Sequence, residues 1–247
     1  MSIAVDPIAI VRRLARISRE RGPVWVIRSA VGWVVGWLAG WPRAGRRSTT
    51  SFGWDGRQVP YFHHRYNYTW LNERAVETAL ALEVLGDHAG QDVLEIGNVL
   101  GHYVPVDHLV VDKYEVAPGV LNADAADLEI DGRFDLILCI STLEHVGLDE
   151  EVKDPLKASR AVTRLQSLLK PGGMLWITHP VGYNLDLDRQ IRVGEVSFTR
   201  LRALRRDDFR NRWHEVPVDD VWSAQYDRLL YTAHGIVVAE YVAPAAA

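Results

Sequence analysis

The chain has 247 residues, a length that supports one α/β domain with a full core or a domain plus an accessory segment. Its net charge of −4 is uneven: residues 1–47 hold nine Arg against Asp6 and Glu20, a surplus of seven positive charges, so the remainder carries −11. A body that acidic argues against a nucleic-acid partner, and the single cysteine, Cys139, excludes an intrachain disulfide framework and fits a reducing, cytoplasmic setting.

Residues 1–22 read as a helix, with Ile8, Val11, Leu14 and Ile17 on one stripe among Arg12, Arg13, Arg16 and Arg19. Val24 to Trp41 is the most apolar stretch. Arg28 interrupts it, leaving roughly 13 apolar or small residues where a spanning helix needs about 20. Gly32, Gly36 and Gly40 recur every fourth residue, as do Trp33, Trp37 and Trp41, which on a helix gives one smooth stripe and one aromatic stripe. Arg43, Arg46 and Arg47 follow. Two readings stay open: a helix over residues 24–41 lying at the inner face of a membrane, or one whose Trp face packs on the domain or on a second copy in a homodimer. No cleavable signal peptide is expected, because the apolar run starts late and is Trp-rich.

Residues 1–47 thus form a basic, Trp-rich helical extension, and 48–247 a domain. Residues 48–68 read as a loop, and Thr69 to Leu85 as a helix with Leu71, Ala75, Ala79 and Leu82 on one face. Strands are expected at Asp92–Ile96, Leu109–Asp112, Phe134–Ile140 and Met174–Thr178, with a late edge strand at Ile236–Val242. A helix starts at Asp154-Pro155, carries Ala158, Val162, Leu165 and Leu169 inward, and stops before Lys170-Pro171-Gly172-Gly173. This alternation predicts a mainly parallel sheet with helices on both faces. Residues 181–220, rich in Arg and Asp, read as a lid whose contacts are Arg205, Arg206, Trp213, His214 and Glu215.

In such a sheet, ligands sit at the carboxyl ends of the strands. Four segments fall there. The run Val93-Leu94-Glu95-Ile96-Gly97-Asn98-Val99-Leu100-Gly101 takes a strand into a turn with two glycines, which let backbone approach a ligand closely. Only 14 residues separate Gly97 from Asp112, too few for a helix of normal length in that crossover. Asp112, ending the second strand, can accept bonds from both hydroxyls of a ribose, with Glu115 as fallback. Asp124-Ala125 follows, where an acid could accept a bond from an adenine amino group. Ser141-Thr142-Leu143-Glu144-His145 leaves a buried strand, and His145 is the side chain best matched to proton transfer near neutral pH.

In this order, and with Lys170-Pro171-Gly172-Gly173 after them, these segments resemble the class I S-adenosylmethionine-dependent methyltransferases. The resemblance covers about residues 70–180 and the last strand. It implies a Rossmann-like fold with a mainly parallel seven-stranded sheet, and a cofactor half over about 70–180. Glu95, Gly97, Asn98, Gly101, Asp112, Asp124, Ala125 and Ser141 would then bind the cofactor, S-adenosylmethionine. Asn98-Val99-Leu100 departs from the family's small-residue run. The Glu144-His145 pair is similar to one in relatives that methylate hydroxyls. Some of these hold a metal with a further Glu where this chain has Ser141, so magnesium at Glu144 and His145 stays an open expectation.

The narrower resemblance is to small O-methyltransferases of glycan-building systems in actinobacteria, which implies a sugar or glycan hydroxyl as acceptor. His145 is the expected base, with Glu144 orienting it, and Tyr103 the aromatic face near the sulfonium. Aromatic and hydrogen-bonding groups suited to a sugar are His64, Tyr66, Asn67, Trp70, His179, Tyr183 and Trp213. A lipid, quinone or amine acceptor, or a non-catalytic cofactor-binding protein of the same fold, stays as the alternative.

Overall fold

The computed structural model describes residues 18–19, 22–41, 48–207, 210–228 and 230–245. The helix expected over 1–22 lies outside them except at its end. Helix α1, Pro23–Gly40, opens with proline at its first turn, where a missing N–H costs nothing.

A hairpin follows where a loop was expected. Strands β1 (Ser51–Trp54) and β2 (Arg57–Pro60) pair antiparallel around Asp55-Gly56, both at positive φ, 53° and 73°. Asp-Gly is suited to this tight turn, because both central residues must be left-handed. The next helix, α2 (Arg74–Asp87), starts later than the apolar spacing predicts. Tyr66–Leu71 instead forms a short 3-10 segment with Asn67 and Tyr68 at positive φ.

The remaining strands are β3 (Val93–Ile96), β4 (Leu109–Val111), β5 (Val120–Leu121), β6 (Phe134–Ile140), β7 (Leu169–Pro180), β8 (Arg200–Arg206), β9 (Trp213–Val216) and β10 (Gly235–Val242). They form one eight-stranded sheet in the order β5-β4-β3-β6-β7-β10-β8-β9. The pairs from β5 to β7 are parallel, and β10 runs antiparallel to both β7 and β8. This is a Rossmann-like fold of the methyltransferase type, with one strand more than the expected seven.

Two expectations are corrected here. The segment Ile236–Val242 is not at an edge: β10 is inserted between β7 and β8 and is buried from Gly235 to Ala239. And the 181–220 segment is not a free lid, because it supplies helix α4 (Leu185–Arg192) and the strands β8 and β9. Four arginines in Arg200–Arg206 mask β8 as a strand. Two of the charges are met from the hairpin and from β9: Arg202 lies 3.9 Å over the Trp54 ring and bonds Glu215 at 2.7 Å, and Asp55 accepts from Arg202 at 3.0 Å and from Arg200 at 3.3 Å.

The core has two faces because side chains alternate along a strand. Ile137 and Cys139 of β6 pack with Leu94, Ile96 and the inner side of helix α3 (Lys157–Ser167). Leu136, Leu138 and Ile140 pack oppositely, against Ala75, Val76 and Leu80 of α2 and the hairpin's Phe52 and Trp54. Helix α3 starts at Lys157 rather than Asp154, whose carboxylate bonds the Leu156 N–H at 2.9 Å. Among the described residues, no helix is long and apolar enough to cross a membrane.

Candidate active site

A cavity of about 260 Å³ opens at the carboxyl ends of β3, β4 and β6. Its walls include Gly97, Asn98, Asp112, Asp124, Ala125, Ser141 and His145, seven of the residues expected there. Ile96, Val111, Ala123 and Val146 make the rest of its surface substantially apolar.

Gly97 sits at φ +82° and donates its N–H to the Val111 carbonyl at 2.8 Å. A Cβ there would stand 2.2 Å from Thr142 Oγ1, so only glycine leaves this wall open. Asp112 Oδ1 accepts the N–H groups of Tyr114 and Glu115, at 2.8 and 2.7 Å. Its Oδ2 accepts only a long bond from Asn98 N, at 3.3 Å, and keeps capacity for a hydroxyl donor. Asn98 donates from Nδ2 to Glu115 Oε1 at 2.7 Å.

Two expected residues serve the loop instead of the cavity. Glu95 is fully buried and its Oε1 accepts the N–H groups of Val99 and Leu100, at 2.9 and 2.8 Å, while Oε2 pairs with His108 at 2.8 Å. The short crossover holds a single 3-10 turn, Leu100–His102, and Glu95 satisfies the donors that open it. Gly101 lies outside the cavity wall, and a Cβ there would meet Asn98 Oδ1 at 2.4 Å.

Asp124 lines the cavity but its carboxylate is already engaged. Oδ1 accepts from Ala126 N, and Oδ2 from Lys157 and Lys113, at 2.6 and 2.8 Å. Although burial opposes it, these lysines hold the Asp124 carboxyl down at about 2. Glu150 joins both lysines, closing a four-residue charge network beside the cavity.

At the other end, Ser141 is held at φ +41°, an uncommon conformation for a side-chain-bearing residue. Its Oγ donates to Glu77, and Arg74 pairs with Glu77 at 3.0 Å and donates to the Ile140 carbonyl at 3.1 Å. His145 comes next. Its Nδ1 lies 2.5 Å from Asp149 Oδ2, which also accepts the Tyr183 hydroxyl at 2.6 Å. The Tyr183 ring stands edge-on to the imidazole at 4.7 Å, with Tyr226 and Arg228 behind it. Burial works against ionisation of Asp149, but the bonds from Tyr183 and His145 hold it below the usual carboxylate range.

Glu144 does not orient His145. Its Oε1 is 3.7 Å from Nε2, beyond hydrogen-bond reach, and its Oε2 is buried without a hydrogen-bond partner. Burial, with the nearby Glu77 charge, pushes Glu144 well above the usual carboxylate range. Among the described residues no group of three or more His, Cys, Asp or Glu side chains could hold a metal ion.

The expected acceptor residues divide. Tyr183 is at the site. His64 and Tyr66 gather around Tyr103 with ring centroids at 5.4 and 5.6 Å, and Tyr66 also stacks on His102 at 4.5 Å. His102 reaches the cavity wall through Glu115, 3.2 Å away, which holds Asn98. Asn67 bonds the Tyr103 hydroxyl, whose ionisation burial pushes up to about 12. Three others are structural. His179 is fully buried and paired with Asp188 at 2.5 Å. Trp70 is buried under α1, donating to the Gly36 carbonyl at 3.2 Å, and Trp213 is buried with its Nε1 on Asn211 at 3.0 Å. Large aromatics suit a sugar and a core equally, which residue type alone does not separate.

Sequence reasoning missed Asp149, Lys113, Lys157 and Glu150. Asp149 is brought to His145, four residues before it, by a tight turn in which its N–H bonds the His145 carbonyl at 3.0 Å.

A family model described as a methyltransferase domain matches residues 104–177, a span that includes Asp112, Asp124 and His145 and begins after the Gly97 turn. A search of curated proteins finds no match. Among solved structures, the chain is similar to the N-methyltransferase NodS from Bradyrhizobium japonicum WM9 in complex with S-adenosyl-L-homocysteine, at 15% identity and TM-score 0.44, over 70% of this chain and 87% of that one. It is also similar to a Thermotoga maritima SAM-dependent methyltransferase described as a possible histamine N-methyltransferase, at 17% identity and TM-score 0.43, covering 71% and 94%. The magnesium protoporphyrin IX methyltransferase ChlM from Synechocystis PCC 6803, with bound SAM, matches at 15% identity and TM-score 0.38, covering 68% and 77%. Likeness at these scores carries no weight on activity or acceptor.

Proposed function

We propose that the chain is an S-adenosylmethionine-dependent O-methyltransferase acting on a hydroxyl of a sugar or glycan. One observation carries the reading: a single cavity brings together the Gly97 turn, the Asp112 carboxylate and His145 at the ends of three adjacent strands. The residues fit the cofactor. Gly97 leaves room for a close approach, Asp112 Oδ2 keeps capacity for a ribose hydroxyl, and Ile96, Val111, Ala123 and Ala125 suit a flat base. When bound, S-adenosylmethionine supplies an electrophilic methyl carbon on a sulfonium.

The chain's own contribution is alignment and a base. Holding the acceptor in line with that carbon supplies much of the acceleration in a direct displacement. A sugar hydroxyl is a weak nucleophile, so its proton must leave as the new bond forms. His145 Nε2 takes that proton. Asp149, on Nδ1, fixes the tautomer that leaves Nε2 as acceptor and then stabilises the imidazolium. Tyr183 and Tyr226 beside Arg228 and Asp149 offer aromatic faces interleaved with polar groups, the pairing a sugar ring needs.

An amine acceptor is the second reading, favoured by Asp149, a cavity-wall carboxyl held below the usual carboxylate range beside His145 and Tyr183. The test is incubation of the full chain with S-adenosylmethionine and a panel of glycosides, quinols and amines, read by product mass. A mass gain of one methylene on a glycoside, lost in His145→Ala, supports the proposal. A gain on amines alone transfers it to the second reading, and release of no S-adenosylhomocysteine with any acceptor removes it.

A further inference from the structure

Helix α1 packs on the domain through one side and leaves the other uncovered. On the inner side, Trp33 and Trp37 meet Tyr68 edge-on at 6.0 and 6.4 Å, and Gly36 and Gly40 receive Leu71 and Trp70. A Cβ at Gly40 would stand 2.1 Å from Trp70 Nε1, and one at Gly36 2.7 Å from Leu71 Cδ2. Trp33 and Trp37 of the aromatic stripe and Gly36 and Gly40 of the small one are thus used within the chain.

The outer side is aliphatic. Val24, Ile27, Val31, Val34, Val35 and Leu38 are exposed by 49% at Val34 to 68% at Val24. Their spacing of three and four residues places them within roughly 100° of one another on the helix. Six large aliphatics in one exposed stripe make a patch that water solvates poorly and that a monomer does not leave uncovered without use. Arg28 is exposed at its margin. By sequence, Arg12, Arg13, Arg16, Arg19 and Arg21 precede the helix and Arg43, Arg46 and Arg47 follow it, against Asp6 and Glu20.

Charge selects the occupant. Two copies meeting through this face would bring two strongly basic segments together, whereas an anionic lipid surface would neutralise both flanks. The helix is not long and apolar enough to span, and an apolar face between basic flanks suits a helix lying in the interface plane. We propose that α1 docks the protein on an anionic bilayer, with the six aliphatics in the acyl boundary and Arg28 at phosphate level. This stands apart from the methyl-transfer reading and survives its failure.

The test is co-sedimentation of the full chain with vesicles of phosphatidylcholine alone and of phosphatidylcholine with phosphatidylglycerol. The expected result is binding to the second, weakened by salt, and reduced more than tenfold in Ile27→Ser/Val31→Ser/Leu38→Ser with an unchanged melting temperature. Val34→Cys carrying a polarity-sensitive fluorophore reads the same contact without the triple change, since Cys139 is buried and unreactive. Its emission should shift to the blue on phosphatidylglycerol vesicles. No binding by the parent chain, or no shift of the probe, overturns the proposal. A concentration-dependent dimer in sedimentation velocity, lost in the triple variant while no vesicle is bound, overturns it in favour of a second copy.

Discussion

Asp149 Oδ2 lies 2.5 Å from His145 Nδ1, so the imidazole at the cavity rim is oriented by a carboxylate four residues on and not by its neighbour Glu144. Catalysis should divide accordingly. His145→Ala should lower kcat by about 10²–10⁴-fold, the usual worth of a positioned base. Asp149→Asn should lower it by about tenfold or more through the wrong tautomer, with affinity for S-adenosylhomocysteine unchanged in both. Glu144→Gln, at a side chain that makes no hydrogen bond to His145, should retain most of the activity. Steady-state rates beside calorimetric titration check the set, and full turnover in His145→Ala would remove the base assignment.

Asp112 should matter for binding and not for the proton. Asp112→Ala removes the acceptor for a ribose hydroxyl and frees the Tyr114 and Glu115 N–H groups. Affinity for S-adenosylhomocysteine should fall at least tenfold, which is about 1.4 kcal/mol. Unchanged affinity by calorimetry would contradict the ribose role.

Gly97→Ala should lose cofactor binding and stability together. The left-handed backbone costs an alanine about 1–2 kcal/mol. The added methyl also meets Thr142 Oγ1 at 2.2 Å, within the cavity wall. The double variant Gly97→Ala/Thr142→Gly relieves the second cost alone. It should recover part of the melting temperature lost, and no recovery would contradict the clash.

Glu95→Ala should destabilise the chain by about 2–4 kcal/mol, because two N–H groups of the short crossover lose their acceptor at a buried position. Chemical denaturation checks this. A loss below about 0.5 kcal/mol, the level of surface substitutions, would mean the loop does not depend on it.

Glu73 gives stability a pH dependence. Burial, with the Glu77 charge, raises its carboxyl to about 7 from an ordinary 4.5. Its protonated form is therefore favoured in the fold. The stability tied to that proton is fully present below about 4.5 and is lost as pH rises through about 7. Glu73→Gln keeps an acceptor for the Ala233 N–H and removes the titration. Above pH 7 the variant should be more stable than the parent by about 1–3 kcal/mol, the difference vanishing towards pH 4.5. Parallel melting curves across that range would contradict the assignment.

How far the sequence was legible follows from how local each cause is. Phe134–Ile140 is recognisable because a strand covered on both faces must be nearly continuous in apolar residues. Gly97, Asp112 and His145 are recognisable because each ends such a run. The hairpin β1–β2 carried a local signal too, Asp55-Gly56 between alternating apolar residues, but a surrounding of Gly, Pro and aromatics reads equally as loop. Strand β8 was hidden by its arginines, of which Arg200 and Arg202 find Asp55, Trp54 and Glu215 on other segments. Glu95 reads as a ligand until its acceptor bonds to Val99 and Leu100 are seen. Trp70 and Trp213 read as sugar platforms until α1 is placed over the first and Asn211 on the second.

The most direct test of the central claim is calorimetric titration of the full chain with S-adenosylhomocysteine, with and without magnesium, beside Asp112→Ala. The account predicts saturable binding that magnesium leaves unchanged and Asp112→Ala weakens. Absence of binding by the parent chain in both conditions would contradict it, leaving the cavity at Gly97 and His145 to a different ligand.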